Sequence, residues 1–373
     1  MFGLYIHVPF CVKKCNYCDF NSFKIDKKLK EQYLKDLERE MKLYKSEEEI
    51  SSVFLGGGTP SILSEEEIKY MFKNIYENFN IKKDAEITIE CNPGTLTTEK
   101  LKAMKYVGIN RLSIGLQATQ EKHLNYIGRI HTYEQFEQNY KEARNIGFNN
   151  INIDLMYSLP NQKFDEWKET LEKITNLNPE HISAYSLILE EGTQLYDMYE
   201  NREFELIDED SDIDMYEYTI KYLASKGYNQ YEISNYSKSN LECKHNILYW
   251  KCGHYIGLGP GASGYIGDER YSNLCDLNEY HSALEESKKP IESIEVLSLK
   301  DKIEEKIFMG LRMNKGIEFE EFKKIYRIDF LETYKKQVKE LKDKELIDYD
   351  DKFLYLTQKG REISNSVFIE FMD

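Results

Sequence analysis

The sequence has no long apolar run, no low-complexity tract and no excess of basic residues. None of its apolar stretches approaches the ~20 residues that a helix needs to cross a bilayer, so we expect no membrane-spanning segment. The first ten residues, MFGLYIHVPF, lack a basic flank and a long apolar core, so we expect no secretory signal peptide. The net charge of −16 disfavours nucleic acid as a partner.

Cysteine is too unevenly distributed for a disulfide framework. The chain has seven cysteines, an odd number, and three of them, Cys11, Cys15 and Cys18, fall in one short stretch. Such clustering in a chain without an export signal indicates a reducing compartment and ligand thiols. We therefore expect a cytoplasmic protein whose clustered cysteines hold a metal or cofactor.

Strand and helix patterns alternate over the first half of this 373-residue chain, of which 41% is hydrophobic. Residues 27–44 are typical of an amphipathic helix, and a second helix begins near Ser64, where Glu67 completes a capping box. The predicted strands are LYIHV, SVFLGGG, AEITIE, RLSIGLQ, INIDLMYSLP and HISAYSLIL. Six βα units predict an α/β fold with a partial (β/α)6 TIM-like barrel, and a doubly wound parallel sheet is the competing layout.

Residues capable of chemistry follow these predicted strands where each strand ends. Cys11 follows the first strand, GGGTP at 56–60 the second, and Glu90, Gln117 and Asp154 lie at the ends of the next three. Because the carboxyl ends of parallel strands meet at one edge of a sheet, we expect these residues to form one site.

The rest of the chain divides into two further regions. We predict a barrel core over 1–190, a less regular extension over 191–296, and a C-terminal domain over 297–373. The last region combines three helical patterns, a hairpin in ELIDYDDKFLYLTQKG and a final helix, which is typical of a winged-helix-like module. Its acidic and basic residues nearly balance, so a lid or docking surface is favoured over DNA binding.

The spacing C-x-x-x-C-x-x-C differs from that of ferredoxins and from the paired C-x-x-C clamps of zinc fingers. Three thiolates on one loop can hold three irons of a [4Fe–4S] cube and leave the fourth iron without a protein ligand. Two alternatives are a zinc site completed by a distant histidine and a chance cluster of buried cysteines. The segment CKHNILYWKCGH offers a separate zinc hypothesis through Cys243, His245, Cys252 and His254.

CVKKCNYC resembles the cluster-binding signature of the radical S-adenosylmethionine (radical SAM) superfamily. The resemblance implies that the amino and carboxylate groups of S-adenosylmethionine chelate the fourth iron, and that electron transfer can release a 5′-deoxyadenosyl radical. The segments YIHVPFC, GGGTP, ECNPG, SIGLQ and NIDLMYSLP are similar to those of the oxygen-independent coproporphyrinogen III oxidase group. The implied cofactor contacts are Tyr5, Gly57, Gly58, Thr59, Glu90, Gln117, Arg129 and Asp154.

Within that group the chain is most similar to the heme chaperone branch. Phe20 stands where the oxidase has a further cysteine, and the long extension that precedes the cluster in the oxidase has no counterpart here. HNILYW at 245–250 matches an HNxxYW motif of the chaperone branch, which implies heme contacts at His245, Tyr249 and Trp250.

Three functions remain open from the sequence. The leading hypothesis is a heme chaperone that passes heme to an acceptor protein. The second is an oxidoreductase that decarboxylates coproporphyrinogen III through a radical, and the third is a radical enzyme acting on another substrate. All three imply a [4Fe–4S] cluster, S-adenosylmethionine and a flavodoxin- or ferredoxin-type reductant, and the first two imply a tetrapyrrole ligand such as heme. No catalytic residue can be assigned.

Overall fold

The computed structural model describes residues 2–372, and its largest element is a sheet of twelve strands within that range. The strands of the first half are β1 (Phe2–Val8), β2 (Phe10–Cys11), β3 (Phe23–Lys24), β4 (Ser46–Gly57), β5 (Phe79–Cys91), β6 (Arg111–Gln117), β7 (Ile151–Tyr157) and β8 (His181–Ser186). The helices between them are α1 (Lys27–Leu43), α2 (Glu65–Asn78), α3 (Thr98–Tyr106), α4 (Glu121–Tyr126), α5 (Tyr133–Ile146) and α6 (Phe164–Leu177).

The second half adds an extension and a C-terminal region. Its strands are β9 (Asn229–Glu232), β10 (Asn235–Ser237), β11 (His254–Leu258), β12 (Ser263–Ile266), β13 (Glu269–Asn273), β14 (Ile291–Val296), β15 (Ile317–Glu318), β16 (Ile347–Tyr349) and β17 (Phe353–Leu356). Its helices are α7 (Gln194–Glu200), α8 (Glu209–Ser225), α9 (Lys244–Trp250), α10 (Leu277–Glu285), α11 (Leu299–Arg312), α12 (Phe319–Tyr326), α13 (Phe330–Thr333), α14 (Lys335–Asp343), α15 (Gln358–Glu362) and α16 (Ser364–Ile369).

The large sheet has the order β14-β13-β12-β11-β1-β4-β5-β6-β7-β8-β10-β9. Its centre, from β11 to β8, is parallel, and each neighbouring pair of first-half strands is joined by at least one helix. Apolar side chains cover the outer face of these strands and pack under the helices, as expected for a sheet crossed by βα connections. The six predicted strands and the α/β class are confirmed.

The sheet curves around a polar interior. His181 on β8 contacts the hydroxyl of Tyr231 at 2.8 Å, and that hydroxyl accepts a hydrogen bond from the backbone N–H of Cys243 at 3.2 Å. The Sγ of Cys243 lies 3.5 Å from a carboxylate oxygen of Glu86 on β5. These links connect β8 with β5, three positions apart in the sheet, through the segment that precedes α9, so the buried polar groups form one continuous network.

Local sequence determines where the helices begin. The Ser64 hydroxyl accepts from the backbone of Glu67, whose carboxylate accepts from the Ser64 N–H, so the predicted capping box forms. Asp26 caps α1 in a similar way through the backbone N–H groups of Lys28 and Leu29. These caps fix the chain direction immediately after the strand ends that form the site.

The C-terminal region has a hydrophobic core of its own, built from buried residues between Ile303 and Phe371. The predicted hairpin is present as β16 and β17, and β15 adds a third antiparallel strand that the sequence had not indicated. No helix between residues 2 and 372 combines the length and the apolar character that spanning a membrane requires.

Candidate functional site

A cavity of about 410 Å³ opens where the parallel strands end, a volume within the range of small-molecule sites. The predicted site residues that line it together are Cys11, Cys15, Cys18, Gly57, Gly58, Thr59, Glu90, Gln117, Arg129 and Asp154. They come from the first loop, from the tips of β4 to β7 and from the segment after α4. The expectation of one site at this edge of the sheet therefore agrees with their positions.

Tyr5 is placed differently from the other predicted contacts, since it is not among the described residues that line the cavity. Its ring stacks on Phe54 with centroids 6.3 Å apart, and its hydroxyl lies 3.0 Å from Nδ1 of His7. The Nε2 of His7 donates to the backbone carbonyl of Asn21 at 2.8 Å, so Nδ1 accepts from Tyr5. Burial lowers the pKa of His7, which keeps this tautomer neutral.

The three-cysteine loop presents half-buried thiols that each have a hydrogen-bonding group nearby. The Sγ of Cys11 lies 3.5 Å from the hydroxyl of Thr59, and the Sγ of Cys15 lies 3.5 Å from Nη1 of Arg129. Burial and the neighbouring thiolates of Cys15 and Cys11 raise the pKa of Cys18 to about 11. Three thiolates in this loop therefore need added positive charge, which bound iron supplies.

Within residues 2–372, no three His, Cys, Asp or Glu side chains converge on a single metal-ion position. A cubane makes a different demand, because each thiolate binds a separate iron atom. Cys11, Cys15 and Cys18 line one cavity, where each thiolate could bind a separate iron.

Asn16 anchors this loop to the segment that follows α4. Its backbone N–H donates to the carbonyl of Ile127 at 2.9 Å, and its side chain donates to the carbonyl of Tyr126 at 2.8 Å. Its own carbonyl accepts from the backbone of Leu195 at 2.7 Å. Because Asn16 stands next to Cys15, these bonds fix the thiol relative to two other parts of the chain.

Two glycines at the end of β4 allow a close backbone approach. Gly57 has a φ of 105°, and a Cβ there would lie 2.5 Å from the His7 ring. A Cβ on Gly58 would lie 2.7 Å from the carbonyl oxygen of Phe10 and 2.9 Å from that of Val8. The tip of β4 therefore packs directly against the start of the cysteine loop, and only glycine fits.

Two carboxylates, Glu90 and Asp154, face the cavity from neighbouring parts of the sheet. Glu90 accepts a hydrogen bond from the backbone N–H of Gly57 at 3.2 Å. Asp154 accepts from the Asn152 amide at 2.7 Å and from the Ser113 hydroxyl at 3.3 Å. Burial, reinforced by the charge of Asp154, raises the pKa of Glu90 to about 8. A cationic ligand between these groups would offset their repulsion.

Arg129 supplies the positive group on the other side of the cavity. One of its nitrogens, Nη2, donates to the side-chain oxygen of Asn92 at 2.8 Å and also to the carbonyl of Gly115. Its Nε has no hydrogen-bond partner among the described residues although it is buried. Gln117, at φ 74°, accepts from the hydroxyl of Tyr185 at 2.8 Å. Arg129 itself lines the cavity, so its guanidinium places a positive charge on this side.

The HNILYW segment lies elsewhere, at the N-terminal ends of the strands, where α9 closes the concave side of the sheet. Its His245 is buried, with Nδ1 2.9 Å from the Ser52 hydroxyl and Nε2 2.8 Å from the Tyr249 hydroxyl. Burial lowers the pKa of His245 to about 3, so the ring is neutral. The guanidinium of Arg312 covers the Trp250 ring at 4.8 Å. The structure thus does not bring the three predicted heme contacts to the cavity, and both ring nitrogens of His245 are engaged.

Several residues that line the cavity were not predicted from the sequence: Tyr17, Asn92, Ser113, Met156, Tyr185 and Leu187. Most stand inside or beside the motifs, such as ECNPG for Asn92 and SIGLQ for Ser113. Strand alternation could have found Ser113, which lies two and four residues before Gly115 and Gln117 on the same face. Asn92 had no such signal, since its contact with Arg129 joins two loops distant in sequence.

Comparison with known proteins agrees with this geometry. Residues 5–174 match the family described as Radical SAM superfamily, and residues 297–363 match the HemN C-terminal domain. The fold resembles coproporphyrinogen III oxidase (HemN) from Escherichia coli, with a TM-score of 0.86, 25% sequence identity, and coverage of 99% of this chain and 89% of that one. The chain belongs to the radical SAM superfamily, whose members use a [4Fe–4S] cluster and S-adenosylmethionine.

Relatives of known name narrow the family further. The heme chaperone HemW of Lactococcus lactis is 38% identical, over 99% of this chain and 96% of that protein. The heme chaperone HemW of Bacillus subtilis is 36% identical, over 100% of this chain and 99% of that protein. Within the superfamily, the chain is therefore a member of the HemW family.

Replacing Gly58 with alanine tests the close contact between β4 and the cysteine loop. The added methyl would meet the backbone at Phe10 and Val8, so iron bound after anaerobic reconstitution should fall by more than about half. Gly267→Ala is the matched control, because Gly267 has a φ of 62° but nothing within 4 Å of its Cβ position. Equal iron content in both variants would contradict the packing described here.

Proposed function

We propose that this protein is a heme chaperone, which binds heme and hands it to an acceptor protein from a radical SAM core. The observation that carries the proposal is the similarity, at 38% and 36% identity and over essentially the whole chain, to proteins named heme chaperone HemW. A shared core alone would support many radical reactions. Similarity that continues through the extension and the C-terminal region favours one family instead.

Cys11, Cys15 and Cys18 are the residues that would hold the [4Fe–4S] cluster. Their thiols line one cavity, and burial, reinforced by the neighbouring thiols of Cys15 and Cys11, raises the pKa of Cys18, so bound iron would favour its thiolate form. Three thiolates leave one iron for the amino and carboxylate groups of S-adenosylmethionine. When bound, the cluster and S-adenosylmethionine supply one-electron chemistry that no amino-acid side chain provides.

The remaining cavity residues fit S-adenosylmethionine by charge and shape. The β4 tip, with Gly57, Gly58 and Thr59, offers backbone groups without obstructing side chains. Glu90 and Asp154 suit the cationic and hydroxyl groups of the ligand, and the positive charge of Arg129, which lines the cavity, suits its carboxylate. Gln117, which also lines the cavity, is proposed as a further contact. Tyr5 would act from below the cavity through His7.

The heme contacts are proposed separately from this cavity. His245, Tyr249 and Trp250 remain candidates because of the HNxxYW motif. Iron ligation by His245 would require α9 to leave its place against Ser52. The rim of the cavity offers a second apolar surface, where Phe20 and Ile188 are exposed.

We also propose three structural units, a barrel core over 1–190, an extension over 191–296 and a C-terminal domain over 297–373. The separate hydrophobic core that begins at Ile303 supports the last boundary. The cytoplasm is the proposed compartment, and a flavodoxin- or ferredoxin-type protein is the proposed electron donor.

A coproporphyrinogen III oxidase is the second candidate, favoured by the fold similarity to the Escherichia coli enzyme. Phe20 counts against it, because the resemblance to the oxidase group implies a further cysteine at this position. The two functions differ in what happens to the tetrapyrrole, because an oxidase converts it and a chaperone retains it for transfer.

An anaerobic assay separates the two functions. With the cluster reconstituted, we expect stoichiometric heme binding with a shifted Soret band, and no protoporphyrinogen from coproporphyrinogen III, S-adenosylmethionine and a reductant. The rate of heme transfer to an acceptor such as apomyoglobin should then be lower for heme bound to the protein than for free heme. Catalytic turnover of coproporphyrinogen III would sink the chaperone proposal in favour of the oxidase.

Affinity for S-adenosylmethionine should depend on the ionisation of Glu90. The pKa of this carboxyl is raised to about 8, so it is mostly protonated at pH 6.5 and mostly ionised at pH 8.5. An ionised carboxylate favours a cationic ligand, so Kd should fall roughly tenfold across this interval. In Glu90→Gln the ligand itself titrates as before, but the Glu90 carboxylate is absent. The Kd of this variant should therefore change less over the same pH interval. Identical pH profiles by anaerobic calorimetry would argue against a Glu90 contact.

The variant His245→Ala separates a heme ligand from a structural residue. Removing the ring leaves the buried hydroxyls of Ser52 and Tyr249 without a partner, so we expect a lower melting temperature. The Soret absorption of the same variant tests the ligand hypothesis. Loss of the Soret band at an unchanged melting temperature would make His245 a ligand and contradict the structural role.

A further inference from the structure

Each thiol of the cysteine loop has a different kind of hydrogen-bond donor. The Sγ of Cys11 has the neutral hydroxyl of Thr59 at 3.5 Å, and the Sγ of Cys18 accepts from the backbone N–H of Phe20. Cys15 alone among the three has a charged donor, the guanidinium of Arg129, with Nη1 at 3.5 Å from Sγ. That distance is within the range for an N–H···S hydrogen bond.

The direction of the Arg129 guanidinium is fixed by contacts on its far side. Its Nη2 donates to Asn92 Oδ1 at 2.8 Å and to the carbonyl of Gly115, which leaves Nη1 directed at the sulfur of Cys15. The side chain is buried, with 9% of its surface exposed, so solvent screens its charge little. The bond therefore does not depend on a freely rotating surface arginine.

The backbone on both sides of the bond is fixed as well. Asn16, next to Cys15, is hydrogen-bonded to the carbonyls of Tyr126 and Ile127, just before Arg129. Gly128 has a φ of 79°, and a Cβ there would lie 2.5 Å from the side-chain oxygen of Asn16. The chain thus brings the arginine and the thiol together through a local contact that tolerates no side chain at 128.

We propose that Arg129 sets the reduction potential of the cluster by donating a charge-assisted hydrogen bond to the Sγ of Cys15. This inference rests on the proposed [4Fe–4S] site. Reduction adds one electron, from a one-electron donor, and one negative charge that is shared with the ligand sulfurs. A positive donor at a sulfur stabilises the reduced form more than the oxidised form and so raises the potential.

The test is a redox titration of the reconstituted full-length protein, followed by electron paramagnetic resonance, without S-adenosylmethionine. At the wild-type midpoint potential, the ratio of reduced to oxidised cluster is one. In Arg129→Gln that ratio should fall about tenfold, which equals about 59 mV for one electron. Arg129→Lys keeps the charge but not the planar fork, and its ratio should fall about threefold.

The control is Lys24→Gln, which removes an exposed positive charge on β3, opposite Cys11 in the β2–β3 pair but outside the cavity lining. Its ratio should stay within about twofold of the wild type because solvent screens a surface charge. Equal ratios in Arg129→Gln and the wild type would overturn the inference. That result is also expected if Arg129 only holds the carboxylate of S-adenosylmethionine, because the titration contains no S-adenosylmethionine. If Arg129→Gln loses its iron, Arg129→Lys decides by the same criterion. A wild-type protein without a [4Fe–4S] signal would instead overturn the proposed function.

Discussion

Repulsion among three thiolates on one short loop is the constraint around which the site is organised. The loop can hold Cys11, Cys15 and Cys18 together only if positive charge compensates them, and a buried guanidinium next to Cys15 supplies one part of it. Iron would supply the rest. The same cavity is lined by two carboxylates, Glu90 and Asp154, so it presents an anionic side as well as the cationic side of Arg129. A zwitterionic ligand that also carries a sulfonium fits such a division.

The polar interior of the curved sheet connects this site to the opposite end of the strands. Asp154 accepts from Asn152, whose oxygen contacts His181, and His181 contacts Tyr231 beside the start of α9. Burial raises the pKa of Asp154 and lowers that of His181, so the network holds few net charges. The HNxxYW helix thus closes the base of the same chamber whose top forms the cavity. Asp154, at one end of this network, also lines the cavity.

Much of this arrangement could be predicted from local sequence, and the remainder depends on distant contacts. Alternating β and helical patterns predicted the six strands β1 and β4 to β8, and the strand ends predicted the position of the cavity residues. The strand β11 was missed because the Gly-rich segment around Gly257 is typical of a loop, yet it pairs in parallel with β1. The hydrogen bonds of Asn16 and Asn92 were missed because each joins segments far apart in the chain. No local pattern encodes such contacts.

The most direct measurement is the metal content and spectrum of protein purified and kept without oxygen. We expect about four iron and four sulfide per chain, and a reduced-cluster resonance that changes when S-adenosylmethionine is added. Changing any one of Cys11, Cys15 and Cys18 to alanine should abolish that resonance, while changing the exposed Cys275 should not. Zinc bound by these thiols, or a resonance that does not change with S-adenosylmethionine, would contradict a [4Fe–4S] site with one iron left open for that ligand.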